Sequence, residues 1–173
     1  AGLLREGKGS TWEGGHRVPG IFWGGGIKSS VIDDLGSTMD IFPTILEMSS
    51  SGQVDDRIID GLSIKNTLLN LEPSMREKVI FYREREVYAL RYRQFKAHFI
   101  TKGVYDYPNP DIKTYMEKPL LYNLDIDPSE KYNIADENPE ILKKIYEVLE
   151  SHQNNLNAPE DLLQYRDNNG NID

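Results

Sequence analysis

Several features common in other proteins are missing from this 173-residue sequence. It contains no cysteine, which excludes disulfides, thiolate zinc sites and cysteine nucleophiles within the chain. No apolar run approaches the roughly 20 residues that a membrane-spanning helix needs. The opening residues, AGLLREGKG, contain neither a start methionine nor the apolar stretch of a signal peptide. We therefore expect a fragment or a processed product whose targeting information lies upstream.

The net charge of −8 comes from the last part of the sequence. Residues 1–123 are electrically balanced, whereas residues 124–173 contain twelve acidic and four basic side chains. An acidic end disfavours nucleic acids and anionic membrane surfaces as partners. The simpler interpretation is a solvated helix face followed by a polar terminus.

The first 75 residues alternate between short apolar segments and turns. Residues 18–23, VPGIFW, predict a short strand, and the three glycines that follow predict a turn. Ser37 and Asp40 resemble a capping box at the start of a helix with apolar residues at helical spacing. The segment DGLSIKNTLLN predicts a turn and a short helix. Together these elements are typical of the end of an α/β layer.

Residues 79–100 have a different pattern, rich in β-branched and aromatic residues. Tyr88, Leu90 and Tyr92 alternate with smaller or charged residues, which predicts a half-buried strand within an antiparallel meander. PLLYNL predicts one more strand, and Asp127 begins a turn. Pro139–Asn154 predicts an amphipathic helix, because proline suits its first position and apolar residues recur on one face.

The first candidate for chemistry is Lys8, which stands between two glycines. Gly2–Lys8 matches the nucleotide-binding pattern G-x-x-x-x-G-K, yet Gly9 occupies the position that requires Ser or Thr. Gly14 and Gly15 would also break the helix that should follow. Glycines still let a backbone approach a ligand closely, and an ammonium suits phosphate, sulfate or carboxylate. The alternative is a surface turn with a solvated lysine.

Five segments of the sequence resemble, in order, motifs of the formylglycine-dependent sulfatases of the arylsulfatase A-like branch. The segments are GLLREGKGSTWEGGHRVPGIFW, STMDIFPTILEM, IDGLSIKNTL, YALRYRQFKAHFIT and PLLYNLDIDPSEKYNIA. Five ordered matches are far more specific than any single one of them.

The resemblance implies an α/β fold class, as the C-terminal fragment of the alkaline-phosphatase-like sulfatase fold. Residues 1–75 would end the catalytic α/β domain, and residues 76–173 would form a small antiparallel-sheet subdomain packed with a terminal helix. In this family a formylglycine attacks the sulfur of a sulfate ester while calcium polarises the sulfate oxygens. The C/S-x-P-S/A-R segment and the acidic metal ligands are missing here, so no metal ligand is assigned. The N-terminal part of the same enzyme would supply both groups, and this chain alone is expected to be inactive.

The resemblance also implies roles for individual residues. Lys8 matches the catalytic lysine that contacts the sulfate. His98 is the second candidate for substrate binding, with a satisfied, buried sheet histidine as the alternative. The loop Thr101–Lys118 is a candidate selectivity element through Lys102 and Tyr105. The scaffold positions implied for the lysine segment are Glu13, Gly14, Gly15 and Arg17, with Glu13 and Arg17 expected to pair or to cap the loop.

Two other functions stay open at this point. One is a phosphonate or phosphodiester hydrolase of the same superfamily, against which the closing PLLYNL motif argues. The other is a non-catalytic binding or assembly module. In either case, without the main sheet the chain should expose an apolar face built from Ile21, Phe22, Ile41, Phe42 and Ile45. The resemblance further implies a secreted, periplasmic or lysosome-like location and a sulfate-ester substrate.

Overall fold

The computed structural model describes residues 2–51, 54, 56–83, 85–104 and 112–158. It contains a 3₁₀ turn at Thr38–Asp40. The helices are α1 (Glu13–His16), α2 (Ile41–Met48), α3 (Lys65–Asn70) and α4 (Pro139–Asn155). The strands are β1 (Lys78–Arg83), β2 (Glu86–Tyr92), β3 (Phe95–Lys102) and β4 (Lys113–Asn123).

The four strands form one antiparallel sheet in the order β1-β2-β3-β4, which confirms the predicted meander. The register places Leu90 opposite Ala97 and Ala97 opposite Leu121, so these three residues form a row across the sheet. The next row on the opposite face contains Lys96, with Arg91 and Tyr122 as its partners. Alternation along a strand therefore gives the sheet one apolar and one polar central row.

Helix α4 covers the apolar row. Pro139 occupies the first turn, as predicted, because its missing N–H has no helical partner there. Leu142 and Ile145 are buried against the row and against Ala135, while Ile141, Val148 and Leu149 pack around them. This cluster confirms the predicted small sheet with a packed C-terminal helix.

The opposite face of the sheet is also covered, which the sequence pattern did not predict. Tyr88, Ala89 and Leu90 are consecutive and all buried, so the expectation of a half-buried strand is wrong for the centre of β2. The N-terminal segment supplies the cover, because Trp12 packs with Tyr122 and Leu124. Residues that are more than 100 positions apart in the sequence thus meet on this face.

The predicted capping box is present at the start of the 3₁₀ turn and α2. Ser37 N–H donates to Asp40 Oδ2 at 2.8 Å, and Met39 N–H donates to Ser37 Oγ at 3.3 Å. Asp40 also pairs with the buried Arg76 and accepts the N–H of Leu62. Burial would raise the pKa of Asp40, but these donors hold it below its usual value. The carboxylate therefore joins α2 to the segment that leads into β1.

The predicted strand over residues 18–23 does not form, and none of the described segments pairs with it. A strand needs a neighbouring backbone to satisfy its N–H and C=O groups, and here Ile21 and Trp23 are 91% and 94% exposed. The predicted apolar face is confirmed as exposed, since Phe22, Phe42 and Ile45 also lie in solvent. Among the described residues, no helix is long and apolar enough to cross a membrane.

Candidate functional site

Lys8 lies on a closed, solvent-exposed turn formed by Gly7–Ser10, which we call the Lys8 turn. Ser10 closes it, because its backbone N–H and its hydroxyl both donate to the carbonyl oxygen of Gly7, at 3.1 and 3.0 Å. Within the part of the chain that the structure describes, the Lys8 ammonium makes no hydrogen bond or ion pair. Lys8 is thus a free cation on a fixed turn.

The two glycines after Glu13 allow the Lys8 segment to fold back on itself. A Cβ on Gly14 would lie 2.2 Å from the carbonyl oxygen of Glu6, and one on Gly15 would lie 2.2 Å from that of Ser10. Real Cβ atoms essentially never approach an oxygen so closely. The backbone of α1 therefore packs directly against the Lys8 turn, which explains why the motif requires a glycine pair.

Four ionisable residues with almost no exposed surface lie beneath this segment, and we call them the buried charge cluster. They are Glu13, Lys96, His98 and Glu130. Lys96 Nζ lies 2.8 Å from Glu13 Oε1 and 3.2 Å from Glu130 Oε1. Arg91 Nη1 lies 3.8 Å from Glu13 Oε2, so two cations face the two carboxylates. Buried charges persist only when they are paired in this way.

His98 is fully buried, and its ring stacks against Trp12 with centroids 4.0 Å apart. Its Nε2 lies 2.7 Å from Glu130 Oε1, while Nδ1 has no partner within the described residues. Burial lowers the pKa of His98 to about 4; the contact with Glu130 opposes this shift and the charge of Lys96 adds to it. The imidazole is therefore neutral near pH 7, with its proton on Nε2, donating to the carboxylate.

Glu130 is the centre of the buried charge cluster. Its Oε2 accepts the backbone N–H of Glu13 at 2.6 Å, while Oε1 faces His98 and Lys96. Burial alone would raise the pKa of Glu130, but the hydrogen bond from His98 and the charge of Lys96 bring it below its usual value. The group is therefore an ionised carboxylate with two hydrogen-bond donors and one ion-pair partner.

The start of the predicted selectivity loop contacts the Lys8 segment, and the strands on either side of the loop extend further than expected. β3 and β4 remain paired as far as Lys102 and Lys113, so the expected loop bounds of Thr101–Lys118 are wrong at both ends. Val104 N–H donates to Glu6 Oε2 at 3.2 Å, and a Cγ of Val104 lies in contact distance of Gly9. Lys102 is the last residue of β3. Tyr105 lies outside the described residues.

The scaffold expectation for Glu13 and Arg17 needs a correction. Glu13 does not pair with the Arg17 guanidinium but with Lys96, because α1 places its carboxylate over the polar face of the sheet. Arg17 is exposed, and its backbone N–H donates to the carbonyl oxygen of Glu13 at 2.7 Å. Glu13 is therefore a buried anchor of the Lys8 segment.

Sequence reasoning assigned no role to Lys96 or Glu130, although both lie inside the quoted motifs. A local signal existed for one of them, because Lys96 and His98 are two residues apart on a strand and must share a face. No local signal existed for Glu130, whose contacts to Glu13 and His98 span 117 and 32 residues of sequence.

The described residues contain no group of three or more histidine or carboxylate side chains that could hold a metal ion. The sequence contains the adjacent acids Asp33-Asp34 and Asp55-Asp56, and one residue of each pair has another partner. Asp34 accepts the N–H of Ser74, and Asp56 pairs with Arg57. We therefore assign the calcium implied by the resemblance to none of the described residues.

Comparisons with known proteins identify the same family. The model for the C-terminal region of aryl-sulfatase matches residues 74–172, and the sulfatase model matches residues 1–51. Arylsulfatase A of Bos taurus is 37% identical over 155 residues, which cover 82% of this chain and 30% of the relative. N-acetylgalactosamine-6-sulfatase of Mus musculus is 31% identical over 172 residues, covering 87% of this chain and 33% of the relative.

A solved structure agrees. The PsFucS1 sulfatase from Pseudoalteromonas sp. superposes with a TM-score of 0.75 at 28% identity, over 87% of this chain and 32% of its own. The chain thus spans about a third of the length of the relatives it matches. Since the C-terminal family model covers more than half of the chain, the chain belongs to the sulfatase family and contains the C-terminal region of an aryl-sulfatase.

Proposed function

We propose that this chain is the C-terminal part of a sulfuric ester hydrolase and that Lys8 contacts the sulfate group of the substrate. The observation that carries the proposal is the exposed ammonium of Lys8, which has no partner among the described residues and lies on a turn anchored to a buried charge cluster. The turn fixes the backbone of Lys8, and a cation placed in advance near developing negative charge stabilises that charge. Cleavage of a sulfate ester develops such charge on the sulfate oxygens and on the leaving oxygen.

The remaining catalytic groups belong, on this proposal, to the N-terminal part of the same enzyme. The family resemblance implies a formylglycine nucleophile and calcium, and the residues described here do not form a site for the ion. Residues 1–75 would then complete the catalytic α/β domain, and residues 76–173 would support it. A secreted, periplasmic or lysosome-like location goes with this assignment.

The exposed apolar face supports a larger protein rather than an isolated module. Phe22, Ile41, Phe42 and Ile45 are each between 41% and 58% exposed and Ile21 is 91% exposed. Three of them lie on α2, which follows a 3₁₀ turn closed by a capping box. Apolar patches of this kind mark surfaces that another part of a protein covers. We propose that the N-terminal part of the enzyme covers this one.

The direct role of His98 in substrate binding stays a prediction. Because the ring is fully buried under Trp12, contact with a substrate would require Trp12 to move. A role for His98 that needs no solvent access is to hold Glu130 in place, as its 2.7 Å contact indicates.

The test of the proposal uses the full-length enzyme with 4-nitrophenyl sulfate. We expect Lys8→Ala to lower kcat about 10²–10³-fold, the loss found when a donor to a developing oxyanion is removed. Lys8→Arg should recover part of the activity, because the positive charge remains. The recovery should be incomplete, because a planar guanidinium differs in shape from an ammonium. The matched control is Lys143→Ala, which removes an exposed lysine on the solvent side of α4.

Wild-type turnover in Lys8→Ala would contradict the role of Lys8. A parallel assay with bis(4-nitrophenyl) phosphate distinguishes the other hydrolase. We expect the sulfate ester to be the better substrate, and faster cleavage of the phosphodiester would favour the phosphonate or phosphodiester hydrolase instead.

A further inference from the structure

Both ends of the segment that carries Lys8 are bound to the same residue, Glu130. On the C-terminal side, Glu13 N–H donates to Glu130 Oε2 at 2.6 Å. On the N-terminal side, Arg5 Nη1 donates to the backbone carbonyl oxygen of Glu130 at 2.9 Å. The hydrogen bond from Gly14 N–H to the Arg5 carbonyl oxygen, at 2.8 Å, joins the two sides to each other. Lys8 is therefore carried on a loop whose two ends are fixed at one point.

The backbone of Glu130 supports a specific role for its side chain. Glu130 has a φ of +51°, in the left-handed region that favours glycine. A non-glycine residue persists in such a conformation when the surrounding structure requires it. The backbone conformation of the turn would by itself favour glycine at this position. The contribution of a glutamate is therefore the set of contacts that its carboxylate makes.

A carboxylate is the only side-chain group that fits all three of its neighbours. Glu13 N–H and His98 Nε2–H donate to it, and the Lys96 ammonium forms an ion pair with it at 3.2 Å. A carboxylate has acceptor oxygens only, whereas the amide of glutamine places a donor at one of the two positions. Glu130→Gln would therefore turn one acceptor into a donor that faces another donor, at nearly unchanged volume.

We propose that Glu130 is a positioning residue for Lys8, holding the two ends of its loop so that the ammonium stays where the sulfate binds. His98 and Lys96 hold the carboxylate, and the N–H of Glu13 connects it to one end of the loop. Arg5 connects the other end to the backbone carbonyl oxygen of Glu130. This inference rests on the function proposed above, since it assigns Glu130 no contact with the substrate.

The test is a double-mutant cycle on kcat in the full-length enzyme, measured per folded molecule with 4-nitrophenyl sulfate. We expect Glu130→Gln to lower kcat at least tenfold in the wild-type background. In the Lys8→Ala background it should lower kcat less than twofold, because the group that Glu130 positions is already missing. An equal loss in both backgrounds would overturn the proposal, as would wild-type kcat in Glu130→Gln.

Two further variants separate positioning from a general effect on folding. Glu130→Gly removes the strain of the positive φ and also removes the carboxylate. We expect it to lower kcat by as much as Glu130→Gln does. Wild-type kcat in Glu130→Gly would show that only the turn matters and would overturn the proposal. If Glu130→Gln does not fold, Glu130→Gly takes its place in the cycle. The matched control is Glu137→Gln, an exposed glutamate in the following turn, which should retain wild-type kcat.

Amide hydrogen exchange gives a readout that does not depend on activity. The N–H groups of Glu13 and Gly14 should exchange faster in Glu130→Gln than in wild type, and unchanged rates would overturn the proposal. Failure of the function proposed above is distinguishable. If the proposed function is wrong, Lys8→Ala itself will leave turnover unchanged. If only the role of Glu130 is wrong, Lys8→Ala will still be slow, and Glu130→Gln will lower kcat by the same factor with and without Lys8.

Discussion

The two faces of the four-stranded sheet are both buried, and their chemistry differs. The face under α4 is a row of Leu90, Ala97 and Leu121 packed against apolar helix residues. The face under the Lys8 segment contains the buried charge cluster and the ring of Trp12. An apolar face stabilises the fold without fixing any particular geometry beyond packing. A charged, hydrogen-bonded face costs more to bury, but it fixes directions and distances.

The largest expected effect comes from breaking the charged face at Lys96. Lys96→Met removes the cation between Glu13 and Glu130, and we expect the free energy of unfolding to fall by about 3–5 kcal/mol at pH 7, as when one partner of a buried ion pair is removed. The charge of Lys96 helps to lower the pKa of Glu130 in the wild type, so this pKa should rise in the variant. Protonation of Glu130 should then make the loss smaller at pH 5. Urea unfolding of the full chain at pH 7 and pH 5 measures the loss of unfolding free energy.

The control for Lys96→Met is Lys118→Met. Lys118 forms an exposed ion pair with Asp136 at 2.6 Å. An exposed pair contributes at most about 1 kcal/mol, and the change should be correspondingly small at both pH values. Equal losses in the two lysine variants would contradict the contrast between buried and exposed charge.

A comparable loss on the apolar face should have no pH dependence. Ile145→Ala removes a fully buried side chain from the contact between α4 and the sheet. We expect a loss of about 2–5 kcal/mol from the lost burial and the cavity. Because the cluster contains no carboxyl or imidazole group, the loss should be the same at pH 7 and pH 5. A loss that changes with pH as in Lys96→Met would remove the distinction between the faces.

The third prediction uses the histidine of the charged face. The pKa of His98 is about 4 in the folded chain, against 6.5 as its ordinary value. The unfolded chain therefore binds the proton first as the pH falls, and stability decreases between about pH 6.5 and pH 4, by about 3 kcal/mol in total. His98→Gln should lack this part of the decrease. The charged groups that act on the pKa of His98 are Glu130, Lys96 and Arg5.

Urea unfolding at pH 7, 5.5 and 4.5 measures that decrease in wild type and variant. His16 and His152, whose pKa values are also lowered mainly by burial, are present in both, so they cancel in the difference. An identical pH dependence in His98→Gln would show that His98 is not buried as a neutral ring.

The smallest effect is expected at the edge of the sheet. Glu77 and Arg93 form an ion pair at 2.5 Å, with side chains 54% and 60% exposed. We expect Glu77→Gln to lower the free energy of unfolding only slightly, and less at high salt, because water and ions screen an exposed ion pair. A loss as large as that of Lys96→Met would mean that burial does not determine the effect of a charge in this sheet.

The sequence predicted the apolar face well because its signals are local. The helical period of Ile141, Ile145, Val148 and Leu149 and the turn after PLLYNL lie within short windows. The strand predicted over residues 18–23 was wrong, since an apolar run does not specify whether a partner strand is present. The capping box at Ser37 was predicted, but the pairing of Asp40 with Arg76 was not.

The candidate site was predicted only in part, for the same reason. The motif around Lys8 indicated the lysine and the glycines directly. The residues that hold the Lys8 segment come from β3 and from the turn after β4, and a charged residue such as Lys96 on a strand is ordinarily expected in solvent. Its burial is decided by Glu13, 83 residues away in the sequence. Long-range charge pairing of this kind has no periodic signal.

The most direct test of the central claim compares one variant from each face by the kcat of the folded full-length enzyme. The claim is that the apolar face stabilises the fold while the charged face positions Lys8. Ile145→Ala should be destabilised yet retain wild-type kcat with 4-nitrophenyl sulfate, whereas Glu130→Gln should lose at least tenfold. Wild-type kcat in both variants, or the same loss in both, would contradict the account.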